Sequence, residues 1–277
     1  MASLPSITCN LPLGEFTMTR RYTVSIATAL MGFLFTSAPP MASAATFSVN
    51  PIRVELDAHH RADILTFNNS GDAPLRVQIR SMHWSVAADG QWQLTPTDDL
   101  IVTPELLEVA PGHTAQLRVG SLLDAGASEA SYRLLIDELP NLSENKSSHT
   151  PEIRVLTQVS LPVFVEPALA TRSPVLSSAT IEHGVLVVGI GNNGTERVDP
   201  QSVKVIVTDS SGHVLGQHDS IANYVLPAST WFLHMKLPTN ICPRAASVSV
   251  SWPSMANTSL SHTLTTGAEA CEGTSSP

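Results

Sequence analysis

Aromatic side chains are scarce: seven Phe, four Trp and three Tyr make up 5% of the 277 residues. That leaves too little surface for the stacking platforms of a sugar-binding or hydrolytic β-protein. Lysine is scarcer still, at Lys146, Lys204 and Lys236, and acidic residues outnumber basic ones 24 to 15 for a net charge of −9. A polyanion such as nucleic acid is therefore excluded as a partner for the whole surface. There are three cysteines and no CxxC, HExxH, GxSxG or phosphate-binding glycine loop, so the common metal, nucleophile and nucleotide signatures are missing. The ten histidines form no ligand pattern. The adjacent His59 and His60 point to opposite faces if they lie on a strand. Asp98-Asp99 and Asp137-Glu138 read as solvated pairs rather than acid/base couples. The chain is accordingly not an enzyme, and nothing in it calls for a cofactor or a metal.

Long apolar runs are also absent after the N-terminus, which excludes an integral membrane span there. The one candidate is Val24 to Phe35, which follows Arg20-Arg21 and precedes Ala42-Ser43-Ala44. A basic pair, a short apolar run and small residues at cleavage spacing make a secretory signal over residues 1–44. The depth of the basic pair points to Met18 as an alternative start of translation. Export fits the cysteines: Cys9 falls in the removed segment, and Cys242 and Cys271 remain as an even pair in a compartment that permits disulfides. They are expected to bond, with two free buried thiols as the alternative.

From Thr46 onward short Val-, Ile-, Leu- and Thr-rich runs alternate with a period of two and are broken by Gly, Pro, Asn and Asp clusters. Such spacing predicts antiparallel β-sandwiches and no helix of useful length. Strands are expected at 47–50, 53–56, 61–68, 75–85, 101–103, 106–109, 114–120, 130–139 and 153–165. A second block, beginning at Thr180, has its clearest strands at 184–190 and 203–207. Others are expected at 215–218, 230–236, 246–252 and 258–264. The break at Pro167 to Pro174 divides a domain at 45–167 from another at 168–277. Between two long strands, the polar stretch Pro140 to Pro151 reads as a loop.

Two features stand out in the first block. Its basic residues are almost all arginine, whose planar fork suits carboxylates. Arg61, Arg76 and Arg80 read as solubilising strand residues, whereas Arg53, Arg133 and Arg154 are placed to converge. The other feature is the segment from Ile153 to Val165, which sets Ile153, Val155, Thr157 and Val159 on one face and contains Pro162. A proline inside a strand marks a sheet edge, and an edge can pair with a second polypeptide.

Asn50-Pro51-Ile52-Arg53, Phe67-Asn68-Asn69 with Pro74, Thr103-Pro104, Glu129-Ala130-Ser131-Tyr132-Arg133-Leu134, Glu138-Leu139-Pro140 and Leu161-Pro162-Val163-Phe164-Val165-Glu166-Pro167 occur in that order. Over residues 47–167 the chain resembles the periplasmic pilus chaperones of the chaperone-usher pathway. Its Leu-Pro-Val-Phe-Val ending is similar to the archaic branch, which assembles spore-coat-like and biofilm pili. Over 168–265 the likeness rests on position and strand content alone.

The resemblance implies an all-β chain of two immunoglobulin-like sandwiches in an L-shaped arrangement. It also implies pilus subunits and an outer-membrane usher as partners, and a periplasmic location. The last strand of the first domain is lent to a subunit lacking one of its own, with Ile153, Val155, Thr157 and Val159 facing the subunit's groove. Typical members hold the subunit's terminal carboxylate with an arginine on the first strand and a lysine late in the last. Arg53 matches the arginine; Pro162 falls at the lysine. Arg133 is the leading substitute, followed by Arg154. The competing reading is a secreted adhesin or a pilus building block, but the domain starts directly after Ala44 with no donor extension.

Overall fold

The computed structural model describes residues 47–123, 126–140, 155–252, 259–264 and 268–271. The predicted signal segment, Ile153, Arg154 and the loop from 141 onward lie outside the described residues. Residues 43–277 form one compact unit, and no helix among the described residues is long and apolar enough to cross a membrane.

Alternation of apolar and polar residues builds two stacked pairs of sheets. In the first pair, β1 (Phe47–Asn50), β3 (Ala62–Asn69), β8 (Thr114–Ser121) and β6 (Leu100–Thr103) form one sheet in that order. Opposite lie β2 (Val54–Leu56), β10 (Gln158–Val165), β9 (Ala130–Glu138), β4 (Leu75–Val86) and β5 (Trp92–Pro96), with β7 (Leu106–Val109) also on β4. Leu65, Phe67, Leu117 and Val119 of the one meet Val77, Ile79, Leu134, Ile136, Leu161 and Val163 of the other in a continuous core. Each such side chain, fully buried, contributes roughly 1.5–3 kcal/mol.

The second pair packs β11 (Pro174–Glu182), β12 (Val185–Asn192) and β15 (Thr230–Lys236) over a four-stranded sheet. That sheet runs β14 (Val214–Ala222), β13 (Gln201–Thr208), β16 (Ser247–Ser251) and β17 (Ser259–Thr263). It has its own core of Leu186, Val188, Ile190, Val203, Val205, Val207, Val248, Val250 and Trp252. Cys242 and Cys271 form a disulfide and so tie the turn after β15 to the C-terminal segment.

Most strands match their predicted spans within two or three residues. The short strand β5 is missed by sequence reasoning because its mostly exposed residues show no inward apolar alternation. Strand β11 starts at Pro174 rather than Thr180, since Pro174 occupies a strand's first position, where its missing N–H costs little. His59 and His60 sit in a turn, not on a strand: the Asp57 carboxylate accepts both backbone N–H groups at 2.6 Å. Among the described residues of the predicted strand at 153–165, the ladder runs over Gln158–Val165.

The sheet carrying β10 buries its second face too. Trp84, Phe164 and Leu226 form a separate apolar cluster, flanked by Val86, Leu94 and Tyr224. Leu226 and Tyr224 come from the second sandwich, so this cluster joins the two. Gly90, at φ +83° in the β4–β5 turn, lies against Phe232 of β15; a Cβ there would come within 2.7 Å of the ring. The backbone conformation and the contact both call for glycine.

Candidate functional site

Strand β10 pairs with β9 along its whole length, but with β2 only through Val163, Phe164 and Val165. From Gln158 to Pro162 its other edge is bare among the described strands. The Glu138 N–H donates to the Thr157 carbonyl at 2.9 Å, and the Glu166 N–H to the Leu56 carbonyl at 2.8 Å. Alternation then turns the peptide groups of odd-numbered residues to β9 and those of even-numbered residues to the open side. The N–H that Pro162 lacks would have faced outward, so the ladder with β9 loses nothing.

The predicted donor residues fall in different places. Val155 is 65% exposed. Thr157 is half-buried, and its N–H donates to the Glu138 carboxylate at 3.0 Å. Val159 is half-buried and packs against the chain's own first core.

The two described arginines of the predicted anchor have opposite surroundings. Arg53 immediately precedes β2. Its Nη1 donates to Asp199 Oδ1 at 3.1 Å, and its Nε lies 3.0 Å from Glu55. Burial opposes its charge, but Tyr224, Asp199 and Glu55 outweigh burial and raise its pKa.

Arg133 is only 5% exposed. It stands on the outer face of β9 between Met82 and Pro162. Its guanidinium carbon lies 3.9 Å from the Trp84 ring centre, 4.6 Å from Trp92 and 5.8 Å from Tyr224. Nη1 makes one long bond of 3.4 Å to the Ser160 carbonyl, and the buried Nε has no partner. Among the described residues no carboxylate pairs with it. Desolvation lowers its pKa to about 10, which still leaves it a cation at neutral pH. The aromatic faces offset part of that cost through their quadrupoles. Tyr224 lies 5.8 Å from Arg133 and contributes to the rise in the Arg53 pKa.

A second charge cluster escaped sequence reasoning. Arg197, with its side chain 1% exposed, contacts Glu129, Glu55, Glu166 at 3.1 Å and Asp199 at 3.2 Å. Its guanidinium also stacks 3.8 Å from the Phe164 ring centre. The carboxylates of Glu129, Glu166 and Glu196 gather within 4.8 Å of one another, and Arg197 supplies positive charge to two of them. Burial pushes the Glu129 carboxyl up to about 7; Arg197 pulls it down, while Glu166 and Glu196 add to the rise. The Glu129 N–H donates to the Thr195 carbonyl at 2.8 Å, so the two sandwiches are joined here by backbone as well. Arg197 lies just beyond the polar turn Asn192 to Glu196 and reads locally as a loop residue. Three of its four carboxylate partners, Glu55, Glu129 and Glu166, lie in the first domain, up to 142 positions away.

Two immunoglobulin-like sandwiches, with an incompletely paired strand edge and a buried arginine beside it, make this a protein of the all-β class. Residues 46–170, just under half of the chain, match the pili and flagellar-assembly chaperones, in their PapD N-terminal domain. The fold is similar to that of the chaperone–tip adhesion subunit complex CsuC–CsuE from archaic Csu pili of Acinetobacter baumannii. That likeness has a TM-score of 0.55 at 22% identity over 79% of this chain and 98% of that one. It is also similar to the Salmonella enterica SafA pilin–SafB chaperone complex, with a TM-score of 0.50 and 16% identity over 80% and 98% of the two chains. The class 5 fimbriae chaperone CfaA is a further likeness, with a TM-score of 0.51 and 13% identity over 80% of this chain and all of that one. No curated protein matches the sequence.

Proposed function

We propose that this protein is a periplasmic chaperone of the archaic branch. It lends the β10 edge to pilus subunits, keeps them folded and capped, and hands them to an outer-membrane usher. The observation that carries this reading is the juxtaposition at Pro162. An unpaired strand edge runs beside Arg133, a buried cation with no carboxylate partner among the described residues. Main-chain hydrogen bonds along Gln158 to Pro162 extend a sheet into the subunit, and apolar residues such as Val155 fill its groove. The terminal carboxylate of the subunit then supplies the counter-ion that Arg133 lacks, with Arg53 as the second cation. Relatives of the same fold include chaperone–subunit complexes, which supports the reading. The two separate hydrophobic cores support the proposed domain limits of 45–167 and 168–277.

Co-expression with a pilus subunit tests it. A soluble one-to-one complex is expected with the wild-type chain, and Arg133→Ala should reduce recovery at least tenfold, because a charge-assisted bond contributes about 1.5–3 kcal/mol. Undiminished recovery with both Arg53→Ala and Arg133→Ala overturns the carboxylate anchor.

A further inference from the structure

Strands β14 and β15 each end their sheet in the second sandwich. Val203, Val205 and Val207 of β13 are buried in the core, and their cross-strand partners on β14 are Ser220, His218 and Gly216. Residues directly opposite share a face. Strand β14 therefore turns inward a hydroxyl, an imidazole and a glycine, where alternation calls for apolar bulk. A cavity of about 370 Å³ is left between the β14 and β15 edges, which is within the roughly 300–1,000 Å³ of small-molecule sites. Its apolar lining is Val207, Met235, Leu237, Pro238 and Ile241. Its polar lining is Lys236 with His218, His234 and Gln217, and it includes no carboxylate. On a chain of net charge −9 with three lysines, this concentrates positive potential at one cavity. Among the described residues no group pairs with the exposed Lys236 side chain.

We propose that this cavity binds a small amphiphilic carboxylate of the medium-chain fatty acid class. The acyl chain lies on the apolar lining and takes the volume that β14 leaves empty. Lys236 supplies the counter-charge to the head group, and the His218 imidazole a hydrogen-bond donor. An added peptide strand fits less well. The cavity touches only Gly216, Gln217 and His218 of β14 and stops at Pro238, which has no N–H to pair with an incoming strand. The site shares no residue with the β10 edge, so its failure leaves the proposed function standing.

The test titrates the purified full chain with decanoate below its micelle-forming concentration and reads binding by calorimetry and melting temperature. Saturable one-to-one binding and a rise in melting temperature are expected. Decanol, which has the same chain without the charge, should bind about tenfold more weakly. Lys236→Gln should weaken decanoate binding about tenfold, the loss of one charge-assisted contact, and leave the melting temperature of the free protein unchanged. Gly216→Val should abolish binding, because a Cβ at 216 already meets Ile241 Cδ1 at 3.4 Å and the larger side chain occupies the cavity. Should Gly216→Val fail to fold, Lys236→Gln carries the test, since Lys236 is exposed. Absence of saturable binding, equal affinity for decanol and decanoate, or undiminished affinity in Lys236→Gln overturns the proposal. Binding of an extended acidic peptide in place of decanoate also overturns it, in favour of strand addition at the β15 edge.

Discussion

Arg133 stands directly across the β9–β10 ladder from Pro162, so a ring lies beside a buried guanidinium whose fixed fork is carried by the neighbouring strand. The cost is a desolvated charge in the free protein, which the Trp84 and Trp92 faces only partly offset.

That cost makes a separable prediction. Replacing Arg133 with Met, which fills a similar apolar volume, should change unfolding free energy by less than about 1 kcal/mol, because the lost cation–π contact is balanced by relief of desolvation. Subunit capture should nevertheless fall at least tenfold. Urea denaturation and co-purification measure the two effects separately; a loss of several kcal/mol would mean that Arg133 is a structural residue first.

Arg197→Met should behave in the opposite way. It leaves Glu129, whose side chain is fully buried, and Glu166 without their cation. Breaking a buried ion pair in this manner costs about 3–5 kcal/mol. Chemical denaturation should show that loss, and a milder loss with Glu129→Gln.

The same cluster sets a pH dependence. Glu129 titrates near 7 in the folded protein, chiefly because burial disfavours its charge, and in the usual carboxylate range when unfolded. Between those values the folded state binds the extra proton, so this group makes stability fall as pH rises from about 4.5 to 7. Melting temperatures of wild type and Glu129→Gln across that window should diverge, with the shallower decline in the variant. A wild type that gains stability relative to Glu129→Gln as pH rises would contradict this.

Cys242 and Cys271 close a loop of sequence separation 29. Chain-entropy arguments assign such a link roughly 3–4 kcal/mol through the unfolded state. The double Cys→Ser variant should lose about that much in denaturant melts without changing subunit selectivity.

Val155→Asp probes the lent edge itself. At 65% exposure the valine contributes little to the free fold, so its replacement should leave the melting temperature within a degree or two. Capture should fall, because the aspartate must enter an apolar groove. Full capture would remove Val155 from the donor face.

The sequence by itself determined the strands, the turns and the export-compatible cysteine pair. Each depends on local rules: a period of two, the backbone limits of Gly and Pro, and the parity of remaining thiols. It also marked Arg53, Arg133 and Pro162, through motifs that lie contiguous along the chain. It did not reveal β5, whose exposed residues lack alternation, nor the reason why Val159 packs inward while Val155 does not. Only the tertiary structure decided that Arg197 gathers Glu55, Glu129, Glu166 and Asp199, and that Arg133 is boxed by Trp84, Trp92 and Tyr224. Those contacts join segments far apart in the chain, and a charge's worth depends on which distant groups exclude water from it.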